Sequence, residues 1–219
     1  FVDTLQWNLI DQDGVLSVYG LLKDKAGNLS ASFTDHIILD RVPPEMTRIF
    51  IENNQRFTNK PDVSIRLIAR EAIAMKVSNL PDQNSSEWIR YTNLMEWSLD
   101  TTVEGRNRVY AWFKDKAGNV SDAIADDIIL DRVAPEGITI GYRLDSVSTD
   151  SVHIVVKATD TRYMQYAFNA EPNGIWLDFQ KEFRLALPDF PDPHFYIRFR
   201  DEAGNTTHLY QRKIITSYN

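Results

Sequence analysis

The chain has 219 residues, 43% of them hydrophobic, with 5 Trp, 9 Tyr and 11 Phe, the composition of a folded protein rather than a disordered one. Its net charge is −7, with Lys and Arg scattered singly among 31 carboxylates, so there is no basic stripe to grip nucleic acid and no basic amphipathic helix to lie on a membrane. No apolar run approaches the ~20 residues a membrane-spanning helix needs, which argues against direct insertion. The absence of cysteine excludes disulfides, thiol catalysis and zinc–thiolate sites.

The chain opens on Phe1 rather than Met, which implies that a preceding segment has been removed. TLQWNLI, around Trp7, leads into VYGLLKDKAGNLS (18–30) and then DHIILDRVPPE (35–45). Next comes VSIRLIA (63–69), whose β-branched alternation predicts a strand. EAIAMKV (71–77) reads as a loop entering a strand, and MKVSN (75–79) with SEWIRY (86–91) as a hairpin. After LMEWSLD, around Trp97, the chain spells VYAWFKDKAGNVS (109–121) and DDIILDRVAPE (126–136). The same order then returns as VHIVVKA (152–158), MQYAF (164–168), GIWLDF (174–179), KEFRLAL around Phe183, FYIRFRDEAGNTT (195–207) and RKIITSYN.

The sequence is therefore an internal repeat, with spacings of 91 and 86 residues read from Val18, Val109 and Phe195. Period two puts Val109, Ala111 and Phe113 on the core face of one strand, matched by Val18, Gly20 and Leu22 and by Phe195, Ile197 and Phe199. Tyr110, Trp112 and Lys114 fall on the other, wetter face. Six or seven short strands per repeat, with turns every 8–12 residues, predict all-β tandem immunoglobulin-like antiparallel β-sandwiches. DRVPPE (40–45) and DRVAPE (131–136) divide the chain, because proline cannot donate to a sheet ladder and holds the residue before it extended. The expected organisation is 1–41 as the C-terminal half of one domain, then complete domains over 42–132 and 133–219.

The SNxxxxW-type hairpin, the aromatic-initiated strand, YxxxKDxAGNxS and IxLDxxxP together resemble the Ig-like repeats of bacterial surface and secreted proteins. The resemblance covers 42–219 as two copies and 1–41 as the back half of a third. It implies an extracellular or cell-surface location and a stalk, spacer or accessory role. Leu9, Val18, Leu22, Ile37 and Leu39 in the half copy need a facing sheet, so 1–41 is expected to pack on a neighbouring domain or a separate fragment.

In the recurring turn, Asp24, Gly27 and Asn28 correspond to Asp115, Gly118 and Asn119 and to Asp201, Gly204 and Asn205. Glycine supplies a positive φ and aspartate caps backbone N–H groups, a structural reading that needs no ligand. Calcium is the competing reading, through Asp24, Asp35 and Asp40 or through Asp115, Asp126, Asp127 and Asp131. The spacing lacks the rhythm of a helix–loop–helix calcium loop, and the third copy has Thr216 at the closing acid, so no metal and no cofactor are expected. NLS, NVS and NTT match the glycosylation pattern but belong to the turn.

His36, His153, His194 and His208 form no metal-binding pair and recur at no equivalent position. No nucleophile elbow, phosphate loop or dinucleotide fingerprint is present, so no catalytic residue is assigned. Trp88 and Trp176 recur, as do Tyr91 and Phe179, which favours packing. Tyr110 and Trp112 are the candidate binding residues, for a protein of a surface assembly or for a glycan. The expected function is a non-catalytic structural or interaction segment of a larger protein, with a carbohydrate-binding or adhesin accessory module as the alternative.

Overall fold

Period-two segments become strands throughout the computed structural model, which describes residues 4–102, 104–144, 150–190 and 192–216. The first repeat supplies β1 (Gly14–Gly20) and β2 (Phe33–Leu39). Between the two proline linkers run β3 (Glu45–Ile51), β4 (Phe57–Thr58), β5 (Asp62–Arg70), β6 (Ala74–Ser78), β7 (Ile89–Arg90), β8 (Leu94–Ser98), β9 (Gly105–Lys114) and β10 (Ile124–Leu130). The remainder forms β11 (Glu136–Leu144), β12 (Ser151–Thr159), β13 (Tyr163–Phe168), β14 (Leu177–Asp178), β15 (Glu182–Ala186), β16 (His194–Arg200) and β17 (Tyr210–Lys213).

The chain divides into two compact units, one of Phe1–Ile49, Leu67–Asn93 and Tyr110–Ala125, the other of Phe50–Arg66, Leu94–Val109 and Asp126–Asn219. In the first, β1 and β2 pair antiparallel from Gly14↔Leu39 to Gly20↔Phe33. There β6 also pairs antiparallel with the end of β9, from Ala74↔Lys114 to Ser78↔Tyr110, and with β7 on its other side. Met75, Val77, Ala111 and Phe113 are buried, and the Tyr91 ring meets Phe113 edge-on at 6.0 Å. Tyr91 is fixed by its hydroxyl, which donates to Leu67 O at 3.3 Å and accepts from Ala69 N–H at 3.2 Å.

The second unit contains a complete two-layer sandwich. The sheet β11-β12-β15 faces the sheet β14-β13-β16-β17. Val152, Ile154, Val156 and Phe183 from one sheet meet Met164, Phe195, Ile197 and Phe199 from the other in a single core. Alternation is clean on β16, where Phe195, Ile197 and Phe199 are fully buried and the residues between them are half-buried. Three antiparallel strands on one face and four on the other make an immunoglobulin-like β-sandwich. In the stretch of the middle repeat that belongs to the second unit, β5 pairs antiparallel with β8 from Asp62↔Ser98 to Arg66↔Leu94, and β4 runs parallel to β10.

One face differs from the sequence expectation. Val109, Ala111 and Phe113 are fully buried, but Trp112, placed on the wetter face by alternation, is only 5% exposed. The ring of half-buried Tyr110 stacks on it at 6.2 Å and 21°. Period two sorts side chains between faces; it does not say whether the second face is also covered.

Candidate functional site

The recurring turn keeps the same Asp–Asn bonds in all three copies, while the glycine N–H meets the Asp carboxylate in the second and third and the Asp24 backbone carbonyl in the first. Asp24, Asp115 and Asp201 each accept the N–H of the Asn four residues on, at 2.8, 2.9 and 2.8 Å. Each also accepts that Asn's carboxamide N–H through its second oxygen, at 2.8, 2.9 and 2.8 Å. Gly27, Gly118 and Gly204 reverse the chain at φ of 96°, 99° and 99°, where a β-carbon is strained. Past the turn, the hydroxyls of Ser30, Ser121 and Thr207 accept the N–H of Leu22, Phe113 and Phe199 at 2.9, 3.1 and 3.1 Å. Burial pushes the Asp115 carboxyl up, but the N–H donors of Asn119 and Gly118 outweigh it and its pKa lies below the usual carboxylate value. Asp24, exposed, is lowered chiefly by the Asn28 side chain.

The asparagines do more than close their own turns. Asn119 Nδ2 also donates to the carbonyl of Asp40 at 3.0 Å, and Asn205 Nδ2 to the carbonyl of Asp131 at 2.8 Å. Asp40 and Asp131 open the two DRV linkers, so each linker is held by the turn of the repeat it enters. Within the linkers, Asp40 and Asp131 accept the N–H of Val42 and Val133 at 3.0 Å, an Asx turn in both.

The linker arginines reach the other way. Arg41 donates to Asp13 at 2.7 Å and also to Asp11. Arg132 donates to Glu104 at 2.5 Å and to the carbonyl of Thr101 at 3.0 Å. Asp13 and Glu104, like Arg41 and Arg132, stand 91 residues apart, a pairing that the repeat spacing makes readable in the sequence. Each linker is therefore gripped from both sides, by an acid of the repeat it leaves and an asparagine of the repeat it enters.

Among the described residues, the carboxylates gathered closely enough to hold a cation are Asp131, Asp160 and Asp201, with oxygens within 4.8 Å of one another. Asp131 and Asp160 border a cleft that also has Phe57, Thr161, Arg162 and Glu202 in its wall. Partial burial and the neighbouring Asp131, Asp201 and Glu202 raise the Asp160 pKa. This set differs from both aspartate sets of the competing calcium reading, Asp24, Asp35 and Asp40 and Asp115, Asp126, Asp127 and Asp131. Asp126 instead accepts the N–H of Ile51 at 2.9 Å, and Asp127 is taken by Arg106 and Arg108 at 2.5 and 2.7 Å. Asp201 already accepts three N–H bonds from its turn, which leaves little of its carboxylate for a metal.

The remaining candidates have structural partners. Ser17 bonds the His36 ring at 2.8 Å, His153 lies 3.4 Å from Glu182, the His194 ring meets Asp192 O at 3.0 Å, and His208 packs on Tyr210 at 4.2 Å. Lys76 and Lys114 approach the Trp88 ring at 5.2 and 4.4 Å, and Arg198 and Arg200 approach the Trp176 ring at 5.5 and 4.5 Å. The recurring tryptophans thus cap their hairpins through cation–π contacts. No helix among the described residues is long and apolar enough to cross a membrane.

A scan against models of known protein families finds no match, and no curated protein is significantly similar in sequence. Among solved structures, the chain is similar to the fibronectin(III)-like modules of Clostridium thermocellum CbhA, at 10% identity and a TM-score of 0.48, over 76% of this chain and 92% of that one. It is also similar to the FN1–FN3 domains of chicken CNTN1, at 10% identity and a TM-score of 0.42, over 88% of this chain and 75% of that one.

Proposed function

We propose that this chain is a non-catalytic structural segment of a larger bacterial extracellular or cell-surface protein, a stalk or spacer whose repeats, 42–132 and 133–219 with the half repeat 1–41 before them, are joined by latched linkers. The observation that carries the reading is the repeated bond from the turn asparagine to the linker carbonyl, Asn119 to Asp40 and Asn205 to Asp131. A flexible string of modules has no use for a donor spent twice on its linkers. A spacer that must hold its load at a distance does, because a fixed linker keeps the entropy of the joint low.

The alternative, a glycan-binding accessory module, draws support from the aromatic pair Tyr110 and Trp112. Their stacked rings leave Trp112 little surface to offer a sugar. A glycan array on the intact chain, with small-angle scattering of the wild type and of Asn119→Ala/Asn205→Ala, separates the readings. The spacer reading expects no specific glycan signal and a scattering profile that changes when the latches are removed. A glycan signal abolished by Tyr110→Ala, with scattering indifferent to the latch variant, overturns it.

A further inference from the structure

Apart from the Phe33 ring lying over Gly20, the core face of the first repeat is open where its counterparts are covered. Leu22 is 50% exposed, while the equivalent Phe113 and Phe199 are at 0%. Ile37 is 51% exposed, while the equivalent Ile128 and Ile214 are at 1%. Ile37 and Val18 line an apolar groove of about 370 Å³ with Trp7 and Leu9. In the third repeat this face is covered by β12, β15 and β13, through Val152, Ile154, Phe183 and Met164.

Two further features mark what fits there. The first is an edge. β9 carries β6 beside it and β16 carries β13, both antiparallel, whereas β1 pairs with β2 alone among the described residues. Across the filled edges, Met75 and Met164 face Phe113 and Phe199, and Val77 and Tyr166 face Ala111 and Ile197. The second is a donor. The carboxamide of Asn28 bonds Asp24 as its counterparts bond Asp115 and Asp201, and its other N–H, which those counterparts spend on a linker carbonyl, meets no carbonyl among the described residues.

We propose that β1 is an acceptor edge for strand addition by a segment with the chemistry of residues 40–92: a linker carbonyl followed by apolar alternating strands. Such a segment lies antiparallel to β1, sets one apolar side chain opposite Leu22 and the next opposite Gly20, covers Val18 and Ile37 with a second sheet, and gives its linker carbonyl to Asn28. Main-chain bonds along the edge supply affinity and alternate side chains supply register. A second copy of the β1–β2 hairpin fits less well, because it brings no second layer for the core face and no linker carbonyl for Asn28. The proposal concerns what completes the first repeat and goes beyond the spacer reading, whose latch asparagines, Asn119 and Asn205, lie in the other two repeats.

The test adds a recombinant fragment of residues 40–92 to the intact chain and follows hydrogen exchange and light scattering. A one-to-one complex is expected, with exchange across residues 14–39 slowed by about tenfold or more. Leu22→Asp, at an exposed position, abolishes the complex, and Asn28→Ala weakens it by about fivefold, measured against the same variant's own exchange without the fragment because the Asn28–Asp24 bond is lost as well. Three outcomes overturn the proposal: a monomer whose residues 14–39 are as protected without the fragment as with it; a chain that self-associates and ignores the fragment, which makes a second copy the occupant; or binding untouched by Leu22→Asp, which places the fragment on the middle repeat.

Discussion

The side-chain amide of Asn205 donates to the backbone carbonyl of Asp131, 74 residues earlier, at 2.8 Å, and Asn119 repeats the contact on Asp40 across 79 residues at 3.0 Å. A residue that closes a local turn thereby also fixes the entry of the chain into the repeat. Removing it by Asn205→Ala or Asn119→Ala is expected to cost about 1 kcal/mol or somewhat more, since a part-buried carbonyl loses its donor. Limited trypsin digestion locates the effect: Asn119→Ala speeds cleavage after Arg41 and Asn205→Ala speeds cleavage after Arg132. Equal cleavage rates in wild type and variants would show that the latch holds nothing.

Gly118 sits at φ 99° with open space where a β-carbon would point, so substitution is penalised through the backbone and not through a clash. Gly118→Ala is expected to lower stability by about 1 kcal/mol, read from the denaturant midpoint at unchanged slope. Gly174, which is not in the positive-φ group and also has open space at its β-carbon, is the control: Gly174→Ala should be close to neutral.

The Asp131–Asp160–Asp201 cluster sets a pH dependence of definite sign. The Asp160 pKa is raised in the folded state, so folding favours the protonated form and the chain loses stability as pH rises through that raised value. Asp160→Asn is therefore expected to raise the Tm at neutral pH in EDTA, and the gain should vanish below about pH 4, where the unfolded carboxyl is protonated too. Calcium is expected to leave the wild-type Tm unchanged. A calcium-dependent rise lost in Asp160→Asn would mean that the three carboxylates bind the ion.

Trp176 has guanidinium groups of Arg198 and Arg200 at 5.5 and 4.5 Å. Trp176→Ala should destabilise the third repeat by about 2 kcal/mol, from two cation–π contacts and the lost apolar cover. Arg200→Lys retains the charge but loses the planar stack, and it is expected to cost about half as much in the same unfolding measurement.

Much of this molecule is written locally. β-branched alternation over 63–69 and 152–158 specifies β5 and β12, because side chains of period two leave one face to bury whatever the partner. The recurring DxAGN turn is equally local, since aspartate, glycine and asparagine satisfy one another within five residues. Repetition of the whole order then fixes that one repeat's architecture is the next one's. Tertiary structure alone decided the rest. It brought Asn119 to Asp40 and gathered Asp131, Asp160 and Asp201 from three separate segments, a grouping that neither set of the competing calcium reading contained. It also buried Trp112, on a face that alternation marks as the wetter. The reason is common to all three: hydrogen-bonding capacity and side-chain direction are properties of a residue and its neighbours, while the group that arrives to meet them is set by where distant strands are packed.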